Sequence, residues 1–168
     1  LPGQGYNEQL DVANGVDTFE VRNNVIKNGN VSPNGGEGLD CKEGVSNGKI
    51  WGNLIFNQPK YGIYLDAGAS DPAIYSVPAA MVNIQVYNNV VHDVYSAHGM
   101  GITSEGRGTI NGVSVYNNLV YHNASDGILV YRYPGAPGSA NNIAVINNTV
   151  HGNGYVNTQY GGIAIDHD

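Results

Sequence analysis

Basic charge and sulfur are scarce in this chain. Seven lysines and arginines stand against fourteen aspartates and glutamates, a net charge of −7 over 168 residues. A binder of the phosphate backbone needs a basic stripe to displace counterions, so nucleic acid is not an expected partner. Cys41 is the single cysteine. It has no internal disulfide partner, and its alternation with Leu39 suits a small buried hydrophobe. No apolar run reaches the length of a membrane-spanning helix, so membrane insertion is not expected. A basic stretch followed by an apolar one is also missing, and the chain begins at Leu1 rather than methionine. That start suits a processed secreted protein or a piece of a longer chain.

Glycine and tyrosine are abundant instead, at 24 and 12 residues. The glycines call for many turns, and the tyrosines argue against a disordered, low-complexity segment. One domain over residues 1–168 is expected.

Two motifs recur along the chain. FEVRNNVIKN, GKIWGNLIFN, IQVYNNVVHD, VSVYNNLVYH and IAVINNTVHG align without gaps on Asn24, Asn53, Asn89, Asn118 and Asn148, at intervals of 29, 36, 29 and 30 residues. Between them run EQLDVANG, EGLDCKEG, YGIYLDAG, MGITSEGR, DGILVYRY and GGIAIDHD, starting at Glu8, Glu37, Tyr61, Met100, Asp126 and Gly161. Five of these six carry Gly at the second position, and all continue with Leu or Ile. Apolar and polar residues alternate within each motif, which is the period of strands. A short unit of three strands cannot bury its apolar side alone, whereas stacked units can. The pattern therefore predicts an all-β solenoid, a parallel β-helix of about six turns. The asparagine column is expected to be structural, each amide bonding to the units beside it and helping at a tight corner. The stretches 68–82, 133–140 and 154–160 read as loops. A solenoid end needs a cover, so adjoining β-helix turns or domains of a longer chain are expected partners.

Alignment predicts two outward columns. The first is Asp11, Asp40, Tyr64, Thr103, Leu129 and Ala164; the second is Ala13, Lys42, Asp66, Glu105, Tyr131 and Asp166. Residues of one column should lie about 4.8 Å apart. Three chemistries fit them. Glu8, Asp11, Glu37 and Asp40 offer oxygen ligands on adjacent turns, as Ca²⁺ prefers. Lys42 can act as a Brønsted base if positive charge or burial lowers its pKa, although nearby carboxylates oppose this. Asp66 or Asp40 paired with Glu105 can instead form the two-carboxyl arrangement of a glycoside hydrolase. A further column, Arg22, Trp51, Tyr87, Tyr116 and Ile146, offers aromatic rings either for sugar binding or for packing. The five histidines show no close zinc spacing. Glycosylation triplets at Asn30, Asn123 and Asn147 are weak signals in an asparagine-rich chain.

GEGLDCKEGVSNGKIWGN, YGIYLDAG, VYNNVVHD and GMGITSEG resemble carbohydrate-active right-handed β-helix proteins of the broad pectate-lyase-like group. The lysine-bearing strand is similar to that of the calcium-dependent polysaccharide lyase family nine. That resemblance implies right-handed winding, a secreted or cell-surface protein and a polysaccharide partner. It implies Lys42 as the base of a β-elimination, with Asp40 and Asp11 on the calcium side and Asp66, Glu105 and Arg107 positioning substrate. The family's aspartate cluster is not reproduced residue for residue, and only part of the family's length is present. Noncatalytic β-helix modules that bind neutral plant polysaccharide, and structural adhesive repeats, remain alternatives.

Overall fold

A computed structural model describes residues 8–30, 36–42, 44–68, 80–106, 108–135, 137–156 and 158–166. Among these the protein is all-β, with sixteen strands and no helix. The first unit holds β1 (Leu10–Val12), β2 (Asp17–Arg22) and β3 (Val25–Lys27), and the second β4 (Leu39–Lys42), β5 (Ser46–Trp51) and β6 (Leu54–Gln58). Next come β7 (Ile63–Asp66), β8 (Ala80–Tyr87) and β9 (Val90–Val94), then β10 (Met100–Ser104), β11 (Thr109–Tyr116) and β12 (Leu119–Tyr121). The last are β13 (Ile128–Arg132), β14 (Ser139–Ile146), β15 (Thr149–His151) and β16 (Ile163–Asp166). Every third strand pairs in parallel, giving a six-stranded sheet β1-β4-β7-β10-β13-β16 and two five-stranded sheets through β2 to β14 and β3 to β15. This is the arrangement of a parallel β-helix solenoid.

The expected alternation fills the interior. Leu39, Cys41, Ile63 and Leu65 from the six-stranded sheet meet Ile50, Ile84, Val86, Val113 and Val115 from the second and Ile55, Val91 and Val120 from the third, forming one core. Burial pushes the Cys41 thiol pKa well up, so it packs as an apolar group. At the far end Ile163 and Ile165 of β16 are exposed.

The asparagine pairs divide the corner between the second and third sheets. The first member, or a glycine, takes the left-handed conformation: Asn23, Gly52, Asn88, Asn117 and Asn147 have φ from 51° to 65°. The second member points inward and stacks. Asn53 donates its backbone and side-chain N–H groups to Asn89 Oδ1 at 3.0 Å each, and Asn89 does the same to Asn118. Left-handed backbone and amide stacking thus fall on neighbouring residues rather than on one. Asn123, within a glycosylation triplet, is also buried and bonded to Asn153.

One part of the alignment is corrected. β10 pairs Met100 with Ile63 and Ile128, Gly101 with Tyr64 and Leu129, and Thr103 with Asp66 and Tyr131. The fourth motif therefore starts at His98, and Gly99 rather than Gly101 joins Gly38, Gly62, Gly127 and Gly162. A slip of two residues keeps every side chain on its face, so alternation is blind to it. Crowding fixes the true register: a Cβ on Gly62 or Gly99 would sit 2.8 or 2.7 Å from the carbonyl oxygen of the next glycine in the stack.

Candidate functional site on the six-stranded sheet

Strand alternation turns Asp11, Asp40, Lys42, Tyr64 and Asp66 outward on this sheet, and the segment before each strand adds a further column: Glu8, Glu37, Tyr61, His98 and Asp126. Asp40 pairs in register with Asp11 and Tyr64, and Lys42 with Asp66.

At the β1–β4 end, carboxylate oxygens of Glu8, Glu37 and Asp40 all lie within 4.8 Å of one another. Asp11 stands beside Asp40 but outside this trio. Lys42 Nζ lies 2.8 Å from both Glu8 Oε1 and Asp40 Oδ2. Glu37 Oε2 and Asp40 Oδ1 are buried without a hydrogen-bond partner. Burial raises the pKa of Asp40 well above the carboxylate range, and Glu37 and Asp11 also move upward for the same first cause. Burial by itself lowers the Lys42 pKa, but the Asp40 and Glu8 carboxylates outweigh it and hold the amine as an ammonium. The three carboxyl groups share the Lys42 ammonium, and Lys60 acts on Glu37 as well. An all-oxygen donor set with two unpartnered buried oxygens fits a hard divalent cation, which Glu8, Glu37 and Asp40 can hold.

Next to the trio lies an aromatic and hydroxyl network. Tyr61 stacks on Tyr64 with centroids 4.1 Å apart and on His98 at 5.5 Å. Gly101 leaves room for both tyrosines, since a Cβ there would meet Tyr61 Cε1 at 2.6 Å and Tyr64 Cδ2 at 2.9 Å. Thr103 donates its hydroxyl to the Tyr64 oxygen at 2.7 Å, and Tyr64 donates to Glu105. The Tyr133 pKa is pushed up to about 12, first by burial and then by the Glu105 carboxylate. Glu105 thus takes the Tyr64 phenol and sits two residues beyond Thr103, the register partner of Asp66. The expected in-column pairing of Asp66 with Glu105 is replaced by Asp66 with Thr103.

His98 Nδ1 accepts the Asp126 backbone N–H at 3.1 Å, and Asp126 Oδ2 lies 3.1 Å from the same nitrogen. Burial lowers the His98 pKa, opposed by Asp126. Sequence reasoning missed Tyr61, His98, Asp126 and Tyr133. For the first three the signal was the residue before each stacked glycine, hidden at HGMG by the choice between Gly99 and Gly101. Arg107 lies outside the described residues, as does most of the loop between Gly68 and Val82.

Trp51, Tyr87 and Tyr116 occupy the expected column on a different sheet. Trp51 and Tyr87 have centroids 5.9 Å apart with planes at 7°, and Tyr87 and Tyr116 5.0 Å apart at 5°. The Arg22 guanidinium lies 5.5 Å from the Trp51 centroid. Phe56, His92, Tyr121 and His151 form a second such stack, with centroids 4.8 to 5.3 Å apart. Parallel rings at the strand spacing turn their faces toward one another and their edges toward solvent. Sugar stacking needs an open ring face, so this geometry favours packing for Trp51, Tyr87 and Tyr116.

Compared with known protein families, curated proteins and solved structures, the chain finds no match.

Proposed function

We propose that the outward face of the six-stranded sheet processes an extracellular polysaccharide by β-elimination at a uronate unit. The supporting observation is the Glu8–Glu37–Asp40 trio, whose buried oxygens are only partly neutralised by Lys42. Right-handed winding in about six turns, secretion or surface display, and kinship with polysaccharide lyase family nine belong to this proposal. Ca²⁺ is the cofactor it requires, held by Glu8, Glu37 and Asp40 with Asp11 beside them. When bound, such a cation screens the carboxylates and acidifies the proton alpha to a uronate carboxyl. Lys42, relieved of its two carboxylate partners, would first lose its own extra proton to solvent and then take the alpha proton as a neutral amine. The electron pair forms the carbon–carbon double bond, and the bond from the β-carbon to the glycosidic oxygen breaks. The leaving oxygen is protonated from solvent. Asp66, buried next to Lys42 in register, is the substrate-positioning residue of this proposal.

A second function is favoured by the same ion pairs. With Lys42 locked as an ammonium and the face acidic, the sheet suits noncatalytic binding of a neutral polysaccharide.

Incubation with pectate, alginate and neutral xylan, with and without Ca²⁺, separates the two by recording retention on the polymer and absorbance of unsaturated ends. Elimination should require Ca²⁺ and disappear in Lys42→Ala. Binding without unsaturated product supports the second function, and no binding to any polymer overturns both.

A further inference from the structure

Of two exposed tyrosines among the described residues held by a backbone N–H bond, Tyr95 follows β9 in another sheet and Tyr133 follows β13 on the face that carries Lys42. Tyr133 is 41% exposed. Its backbone N–H donates to Ser104 O at 3.2 Å, and its ring meets Tyr131 at 5.1 Å with planes at 67°. The Tyr155 ring is covered by a parallel His122 at 4.7 Å. Tyr160 meets His98 edge-on at 5.9 Å. The Trp51–Tyr87–Tyr116 rings cover one another. No parallel ring is stacked on Tyr133 among the described residues, and its anchoring happens before any ligand arrives. A rigid aromatic side chain that is already ordered binds without losing rotamer freedom.

Its position also matters. Lys42, Asp66, Thr103 and Tyr131 are consecutive register partners, so Tyr131 lies three strands from Lys42, roughly 14 Å at the strand spacing. Tyr133 lies two residues beyond Tyr131 along the chain, just past the end of β13. The half-exposed Leu129 lies two positions before Tyr131, on the same outward side of β13.

We propose that Tyr133 is a saccharide-stacking platform, a binding subsite for the pyranose ring of a polysaccharide whose chain runs along the solenoid axis from Lys42. This rests on the polysaccharide function proposed above and adds a residue and a direction to it. A short oligosaccharide bridges Lys42 and Tyr133, and a single sugar does not. Removing the ring therefore weakens long ligands and leaves short ones unchanged.

Calorimetric titration with a size series of oligogalacturonates plus Ca²⁺, and of xylo-oligosaccharides, tests this on the whole chain. Tyr133→Ala should weaken the longer members by about tenfold, a free-energy change of about 1.4 kcal/mol, and leave the shortest within error. Tyr133→Phe, which keeps the ring, should stay within about threefold of the unmodified protein on the same scale. Tyr116→Ala, whose ring face is covered, should bind as the unmodified protein does. Circular dichroism confirms that each variant is folded. If the unmodified protein binds and Tyr133→Ala binds every length equally well, the subsite is wrong while the polysaccharide function stands. If the unmodified protein binds no member of either series, both are overturned.

Discussion

Asp40 Oδ2 and Lys42 Nζ lie 2.8 Å apart on one strand, with the Asp40 side chain wholly excluded from solvent. A buried carboxylate of this kind depends on its cation. Replacing Lys42 with Met should destabilise the protein by about 3 to 5 kcal/mol at neutral pH, the usual cost of stranding one member of a buried pair. The loss should shrink in mild acid, because Asp40 then takes a proton and no longer carries the stranded charge. Urea denaturation of Lys42→Met at pH 5 and pH 8 checks this; a cost that does not vary with pH contradicts it.

Calcium and acid should compete for the same oxygens. Asp11, Glu37 and Asp40 have folded pKa values above their ordinary ones. Their contribution to stability is therefore greatest below the ordinary carboxylate range and is lost as pH rises through the raised folded values. The sign for Lys42 is parallel: its ion pairs contribute fully below the ordinary lysine pKa and are lost only as pH rises above that range. At neutral pH, Ca²⁺ should recover the carboxylate loss, by about 2.7 kcal/mol at one hundred times its dissociation constant. At pH 4 the gain should be far smaller. Scanning calorimetry across pH, with calcium or with chelator, reads both arms.

Asn89 is buried and takes two N–H bonds from Asn53 while donating to Asn118 Oδ1 and Ile50 O. Asn89→Ala should cost about 2 to 4 kcal/mol, because the Asn53 donors and the Ile50 carbonyl lose partners where water does not reach. Equilibrium unfolding measures it. A loss below about 1 kcal/mol would mean that the column is not a connected hydrogen-bonded stack.

Gly99 and Gly101 are two residues apart and should respond differently to alanine. At Gly99 the new Cβ meets the Gly127 carbonyl oxygen at 2.7 Å and Val120 Cγ1 at 2.6 Å, so backbone and core must move and stability falls. At Gly101 it meets only the Tyr61 and Tyr64 rings among its nearest atoms, so the main change is displaced tyrosines. Melting temperature should drop more for Gly99→Ala, while near-ultraviolet circular dichroism should change more for Gly101→Ala. The opposite ranking would favour the register with Gly101 in the glycine stack.

The three-sheet solenoid was readable from the chain because apolar alternation and the asparagine spacing recur with every unit. The inward partners on β4, β7 and β13, and the Arg22–Trp51–Tyr87–Tyr116–Ile146 column, follow directly from that recurrence. The slip at β10 arose because HGMG offers two glycines at a spacing of two, and only the crowding around Gly99 tells them apart. Convergence of Glu8, Glu37 and Asp40 was partly visible as paired carboxylates on adjacent units. Their grip on Lys42 was not, since it depends on side-chain reach rather than column. Ring orientation was equally hidden: alternation says that Trp51 points outward, not that its faces are turned toward neighbouring rungs.

The buried asparagine stack gives the molecule a polarity. From Asn24 through Asn53, Asn89 and Asn118, every side-chain amide donates to the oxygen of the next, never the reverse. Their dipoles add head to tail, as peptide dipoles do along a helix, and the two directions along the rod are chemically distinct. An amide in this stack is fully bonded only when the following unit is in place. Order in one unit is therefore completed by its successor, which links the repeats more tightly than apolar contact between neighbours does alone.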